Sequence, residues 1–254
     1  MTTRIRIITP VIGEGLGDAE FARSLGDTST DVDLVQVRRG PASIESEFEH
    51  AIAVPDTLRL IVEAEREGVD AVVVDCMADP GVRPGRELVR IPVLGPAETC
   101  MHIACQLGHR FSIVTTGARS VPEFENQVLV AGLAGRLASI RWVDIPVLDL
   151  AADPRALLAA LVEESVAAIE ADGAHVIVFG CTGMLGFADG VRDGLIARGH
   201  TGVPVLDPIP VAVRFARALV ACGLTHSERT FPPTPEKRID GYPFLTDATQ
   251  PSNP

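Results

Sequence analysis

The sequence predicts an α/β fold of two pseudo-symmetric lobes, each a parallel β-sheet flanked by helices, with a ligand-binding cleft between them. Short β-branched runs alternate with longer helical patterns along the 254 residues. The chain also repeats itself, because residues 69–76 (VDAVVVDC) and 173–181 (GAHVIVFGC) are both apolar runs that end in cysteine. A second match follows each copy, PVLGP at 92–96 and PVLDP at 204–208.

The elements alternate in chain order. Besides the second repeated strand, strands are predicted at 4–9, 31–37, 70–75, 91–94, 111–115, 139–143 and 203–206. Helices are predicted at 20–25, 45–68, 84–89, 98–107, 121–132, 155–171, 190–198 and 209–222. Ser43 and Ser46 predict capping of the second helix, which we expect to be interrupted before Pro55. Asp153 followed by Pro154 predicts the start of the sixth helix.

The repeat divides the chain into the two lobes. One lobe is expected to combine residues 1–97 with 208–254 and to carry Cys76, and the other to span 98–207 and to carry Cys181. In open α/β sheets, ligands bind outside the carboxyl ends of the strands. Both cysteines lie at such ends, so we expect one thiol on each wall of the cleft.

Composition and charge exclude several classes of protein. The formal charge is −12, without a Lys/Arg cluster, which argues against nucleic acid as a partner. No apolar run approaches the roughly 18 residues of a membrane span, and no secretory pattern opens the chain. Five scattered cysteines form a poor disulfide framework and show no zinc-site spacing. Free thiols in a reducing cytoplasm, without a bound metal, are therefore expected.

Two facing thiols allow a specific reaction, a proton transfer between two bases. A thiolate on one wall removes a proton from a carbon acid, and the thiol on the other wall delivers a proton to the opposite face. The stereocentre inverts without a metal or an organic cofactor. The remaining cysteines follow helical apolar patterns and are predicted to be packing residues: Cys100, Cys105 and Cys222.

Five short motifs carry a resemblance to a known family. They are GPASIES at 40–46, DCMADPG at 75–81, GPAE at 95–98, LGHRFSIVTT at 107–116 and GCTGM at 180–184. In this order they resemble the aspartate/glutamate racemase superfamily, and within it the hydantoin racemase branch. The resemblance implies an active site in the cleft, no cofactor, a homo-oligomer, and Cys76 and Cys181 as the acid/base pair. It also implies ligand-lining roles for Thr115, Thr116, Thr182 and Gly183.

The chain departs from the family pattern at two places. Amino-acid racemases of the superfamily follow the second cysteine with Thr-His, whereas here Thr182 precedes Gly183 and Met184. The auxiliary His is missing, which argues against free glutamate or aspartate as substrate. Hydantoin racemases carry an Asn-Pro-Asn turn after the first strand, where this chain has apolar residues. We therefore expect apolar substrate contacts from Pro10, Val11 and Met77.

Several functions stay open at this point. The leading one is a racemase or epimerase of a 5-substituted hydantoin or an allantoin-like ring. The alternatives are a maleate isomerase-like enzyme, an arylmalonate decarboxylase-like enzyme, an amino-acid racemase, and a non-catalytic small-molecule binding protein. The turn GEGLG at 13–17 lacks the GxGxxG spacing of a dinucleotide site. Asp79 and Glu98 are either orienting groups or ordinary turn and helix-start residues.

Overall fold

Two parallel sheets of four strands form the frame of the molecule. The computed structural model describes residues 2–13, 15–234 and 242. In the first sheet, β1 (Thr3–Thr9), β2 (Thr30–Gln36), β3 (Ala71–Val74) and β4 (Val93–Leu94) lie in the order β2-β1-β3-β4. In the second, β5 (Phe111–Thr115), β6 (Leu137–Trp142), β7 (Val176–Phe179) and β8 (Val205–Leu206) lie in the order β6-β5-β7-β8.

Eight α-helices connect and cover these strands in the described part of the chain. They are α1 (Ala19–Ser24), α2 (Glu47–Arg66), α3 (Val82–Leu88), α4 (Pro96–Leu107), α5 (Val121–Val130), α6 (Pro154–Glu170), α7 (Ala188–Ala197) and α8 (Pro208–Ala221). The elements predicted with bounds agree with these to within two residues at either end. Strands and helices therefore occur in the same order in both halves, and the predicted pseudo-symmetric α/β fold is confirmed. None of these helices is both long enough and apolar enough to cross a bilayer.

The repeated strands β3 and β7 lie inside their sheets and are wholly buried. Both pair in parallel with two neighbours, β3 with β1 and β4, and β7 with β5 and β8. Helices cover both faces of a parallel sheet, which explains why these strands are continuous apolar runs without polar alternation.

The predicted interruption of the second helix is wrong, because α2 runs through Pro55 without a break. Proline has no N–H to offer the carbonyl of Ala51, which lies on an exposed face where water takes the place of that donor. The predicted capping is present at the start of the helix. Ser46 accepts the N–H of Glu49, whose carboxylate in turn accepts the N–H of Glu45 at 2.7 Å.

The last helix of each half packs against the sheet of the other half. α8 contacts β1 and β3 of the first sheet, whereas α4 contacts β5 and β7 of the second. The two helices also pack against each other. This exchange supports the predicted division of the chain into 1–97 with 208–254 and 98–207, which stays a prediction. Residues 235–241 and 243–254 of the first predicted lobe lie outside the described residues.

Candidate active site

A pocket of about 400 Å³ lies at the carboxyl ends of both sheets. Its walls include Thr9 at the end of β1, Cys76 after β3, Thr115 at the end of β5 and Cys181 after β7. Carboxyl ends of parallel strands meet at one edge of a sheet, and here the edges of two sheets contribute to one pocket. The structure thus brings both repeated cysteines into the same cavity.

The two thiols have matching local geometry. The N–H of Ala78 donates to Cys76 Sγ at 3.4 Å, and the N–H of Gly183 donates to Cys181 Sγ at 3.4 Å. In each case the donor lies two residues after the cysteine, in the turn that follows the strand. Both thiols are half-buried and line the pocket. The repeat in the sequence is therefore also a repeat of the thiol environment.

Burial controls the protonation of both thiols. Burial raises the pKa of Cys181 to about 12, because this effect outweighs the lowering by the hydrogen bond from the Gly183 N–H. Burial likewise raises the pKa of Cys76 well above its usual range, and the nearby charges of Cys181 and Glu123 add to the effect. Burial therefore favours the thiol form of both cysteines over the thiolate.

Equivalent threonines support the strand ends beside the two cysteines. Thr9 Oγ1 donates to the Asp75 carboxylate at 3.2 Å, and Thr115 Oγ1 donates to the carbonyl of Gly180 at 3.3 Å. Asp75 and Gly180 are the residues directly before the two cysteines. A hydrogen bond also joins the two halves beside the cysteines, because Thr182 Oγ1 donates to the carbonyl of Asp75 at 3.3 Å.

All but one of the predicted site residues line this pocket. Those that do are Cys76, Cys181, Val11, Met77, Thr115, Thr116, Thr182 and Gly183. Pro10 is buried and is not part of the wall. Successive side chains of an extended segment point to opposite sides, so Thr9 and Val11 reach the pocket while Pro10 points away.

Other wall residues were not predicted as site residues from the sequence. Ser43 and Ile44 come from the loop after β2, and Val147 and Leu148 come from the corresponding loop after β6. Ser43 and Ile44 lie in one of the five family motifs, which was the available signal. Glu123 of α5 also lines the pocket, and nothing in its local pattern distinguishes it from an ordinary helix residue.

The pocket wall is acidic. Its ionisable groups other than the thiols are Asp18, Asp75 and Glu123, and its described residues include no Lys, Arg or His. Burial raises the pKa of Asp75, although Thr182 and Thr9 hydrogen-bond to this residue. The pocket therefore offers hydroxyl and N–H donors but no cation for an anionic ligand.

The other candidate residues have structural positions. Cys100 is buried, Cys105 is half-buried and Cys222 is exposed, and none of the three lines the pocket. Asp79 accepts the N–H groups at the start of α4, and Glu98 forms an ion pair with Arg86 at 2.7 Å. For Asp79 and Glu98 the structure favours turn and helix-start roles over direct contact with a ligand.

One group of described side chains is close enough to share a cation: Glu47, His50 and Glu123. It lines a second pocket that adjoins the first and shares Ala78 and Glu123 with it. His50 Nδ1 lies 2.6 Å from a Glu123 carboxylate oxygen, and this contact raises the pKa of His50. The raised pKa favours the protonated form of His50, which pairs with Glu123 and does not bind a metal, so the geometry favours an ion pair.

Comparison with known proteins gives relatives that extend over nearly the whole chain. The hydantoin racemase of Pseudomonas sp. (strain NS671) is 35% identical over 237 residues, which cover 92% of this chain and 93% of that protein. The hydantoin racemase of Paenarthrobacter aurescens is 37% identical over 228 residues, with 89% and 94% covered. The similarity thus includes both thiol turns and both sheets.

The solved structures agree with the sequence relatives. The allantoin racemase from Klebsiella pneumoniae superposes with a TM-score of 0.88 at 31% identity, covering 96% of this chain and 99% of that one. The family described as Asp/Glu/hydantoin racemase matches residues 18–216. With its paired sheets and its two cysteine turns on one pocket, this chain belongs to the Asp/Glu/hydantoin racemase family.

Proposed function

We propose that the protein is a cofactor-independent racemase or epimerase that inverts the carbon-acid centre of a 5-substituted hydantoin or an allantoin-like ring. Cys76 and Cys181 are the acid/base pair of this reaction. The observation that carries the proposal is that both thiols, at equivalent strand ends of the two sheets, line one pocket. The similarity to hydantoin and allantoin racemases gives the substrate class.

In the proposed mechanism, one cysteine acts as thiolate and removes the ring C5 proton, while the other donates a proton to the opposite face. The reverse reaction exchanges the two roles. The adjacent ring carbonyl takes up the negative charge and needs donors already in place. The Thr116 hydroxyl is a candidate donor, because Thr116 lines the pocket and its side chain has no hydrogen bond to another described residue.

The acidic wall favours a neutral ring over a carboxylate substrate. Two like charges about 6 Å apart repel by about 3 kcal/mol at an effective dielectric constant of about 20. A carboxylate substrate would face Asp75 without a cation in the described wall to offset it, whereas Glu123 is already paired with His50 of the adjoining pocket. This argues against the amino-acid racemase, maleate isomerase-like and arylmalonate decarboxylase-like alternatives, whose substrates carry one or two carboxylates.

The test compares enantiopure substrates in D2O. We expect 5-substituted hydantoins or allantoin to lose optical rotation with incorporation of one deuterium at the stereocentre. Circular dichroism monitors the loss of optical activity, and NMR monitors the deuterium. Free amino acids, maleate and an arylmalonate are expected to remain unchanged. A sample without enzyme corrects for spontaneous exchange. Loss of rotation without deuterium would rule out the two-base mechanism, and turnover of a carboxylate alone would rule out the ring substrate.

The proposal also includes a homo-oligomer in a reducing cytoplasm. Free thiols throughout the described chain are consistent with a reducing compartment. The α2 helix exposes Phe48 and Ile52 one turn apart, with 73% of Phe48 accessible, which is apolar surface available to another subunit. Light scattering coupled to size exclusion measures the mass directly, and a monomer at micromolar concentration would contradict this part of the proposal.

A further inference from the structure

A buried carboxyl group connects the Cys76 turn to the start of α4. Asp79 follows Cys76 by three residues and donates its own N–H to the Cys76 carbonyl at 3.0 Å. Its carboxylate oxygens accept the N–H groups of Ala97 and Glu98, each at 3.0 Å. The backbone of Asp79 is left-handed, with φ of 51°. A non-glycine residue in this conformation costs energy and indicates that the carboxylate contacts compensate for it.

The second half contains the same connection with the partners reversed. Asp207 lies at the start of α8, and its carboxylate accepts the N–H of Gly186 at 2.7 Å in the turn after Cys181. The position that corresponds to Asp207 in the first half is Gly95, in the matching segments 92–96 and 204–208. A side chain cannot fit there, because a Cβ on Gly95 would lie 2.1 Å from the Asp79 carboxyl carbon. In both halves, therefore, one carboxyl group connects the turn after the cysteine to the start of the last helix of that half. In the first half this carboxyl group belongs to the turn, and in the second half it belongs to the start of the helix.

Each of these connections also extends from one sheet to the other. The Cys76 turn follows the first sheet, but α4 packs against the second sheet. The Cys181 turn follows the second sheet, but α8 packs against the first. The two carboxyl groups thus hold each thiol turn against a helix that is fixed to the opposite sheet.

We propose that Asp79 and Asp207 are positioning residues that set the Cys76 and Cys181 thiols relative to each other across the pocket. Their importance for turnover rests on the function proposed above, whereas their effect on the thiols does not. Neither carboxyl group touches the pocket that holds the thiols, so each acts through its turn. A two-base transfer requires both sulfur atoms near one carbon, and small displacements of reacting groups are costly in rate.

The surroundings of the two carboxyl groups support this role. Burial raises the pKa of Asp79 to about 7 and the pKa of Asp207 to about 6. The second oxygen of Asp207 is buried and has no hydrogen-bond partner among the described atoms. Asparagine matches the shape of either side chain and tolerates the left-handed backbone. It replaces one acceptor oxygen with an NH2 group, which cannot accept the second N–H at Asp79.

The test measures alkylation of the individual thiols by iodoacetamide in the full-length protein, with peptide mass spectrometry, across a range of pH. In Asp79→Asn we expect the Cys76 rate to change by about fivefold, the effect of roughly one lost hydrogen bond, and its pH profile to shift. The Cys181 rate should stay within a factor of about two. Asp207→Ala, which removes the acceptor of the Gly186 N–H, should show the reverse selectivity. Asp70→Asn is the matched control, because Asp70 accepts the Arg4 N–H at 2.7 Å at the far end of β3.

A rescue variant separates positioning from simple loss of stability. Asp79→Gly should alter Cys76 alkylation. The added change Gly95→Asp should restore it, because a carboxyl group at the start of α4 then reaches the Cys76 turn as Asp207 reaches the Cys181 turn. Equal changes at both thiols in Asp79→Asn and in Asp207→Ala, or no change at either thiol, would overturn the proposal. Failure of the double variant to restore Cys76 in a protein with the wild-type circular dichroism spectrum would do the same. Alkylation needs no substrate, so these results do not depend on racemase activity.

Discussion

The glycine before Cys181 is a residue at which one added methyl group should damage the site. Gly180 lies at the end of β7, against the end of β5. A Cβ there would lie 2.6 Å from Thr115 Cβ, 2.9 Å from Ile113 Cγ2 and 2.9 Å from Thr115 Cα. These are backbone and β-branched atoms inside a sheet, so the contacts cannot be relieved by rotating a flexible side chain. Gly180→Ala must therefore separate β7 from β5 locally.

The size of the effect follows from these contacts. Overpacking of this kind costs about 1 to 3 kcal/mol of unfolding free energy. For a chain of this size, 1 kcal/mol corresponds to roughly 2 to 4 °C in Tm, so we expect a decrease of about 2 to 12 °C. Because Cys181 follows Gly180 directly, a shift of about 1 Å at the strand end should also reduce kcat/KM by about a hundredfold.

Thermal unfolding followed by circular dichroism measures the Tm, and the rate at which a hydantoin loses its optical rotation measures kcat/KM. Gly135→Ala is the matched control, because a Cβ on Gly135 meets no atom within 4 Å and its backbone is not left-handed. We expect the control to keep the Tm and activity of the native protein. A Gly180→Ala protein that also keeps both would refute the reasoning from sheet packing.

Four other outcomes are expected. Cys76→Ser and Cys181→Ser should each reduce racemisation by about 10²- to 10⁴-fold, whereas exposed Cys222→Ser should leave the rate unchanged; full activity in either of the first two would refute the assignment. Because burial raises the pKa of both site thiols, kcat/KM should rise as pH increases from 7, and a flat profile would contradict this. EDTA should leave the activity intact, and strong inhibition would point to a metal. Burial lowers the pKa of His226 to about 4, and its Nε2 accepts the Val93 N–H at 2.9 Å. The unfolded chain therefore binds this proton first, so Tm should fall as pH decreases from about 6.5 to about 4, and His226→Gln should weaken this dependence.

Most of the candidate site could be predicted because the chain repeats its own pattern. An apolar run ending in cysteine occurs twice, and in parallel sheets such ends lie where ligands bind. That reasoning placed Cys76 and Cys181 on one pocket, the family resemblance added Thr115 and Thr182, and all four residues line the pocket. Pro10 does not line the pocket although its neighbours Thr9 and Val11 do, because successive side chains of an extended segment point to opposite sides.

Contacts between the two halves of the molecule could not be predicted from any local sequence pattern. Glu123 belongs to an ordinary amphipathic helix, and only the packing of α5 brings it to the thiol pocket. Pro55 was expected to interrupt α2, but the proline lies where the unpaired carbonyl faces water, and exposure is a property of the folded molecule. The paired contacts of Asp79 and Asp207 depend on α4 and α8 having exchanged sheets.

The sequence alone determined the α/β class, the internal repeat and the two cysteines at the ends of the repeated strands, because strand and helix periodicity and repeated motifs are local properties of the chain. Only the tertiary structure decided that the pocket shared by the two thiols has an acidic wall, that Pro10 does not line it, and that a carboxyl group connects each thiol turn to a helix on the opposite sheet. Those features depend on contacts between residues far apart in the chain. They are set by how the two halves pack, which no single stretch of residues specifies.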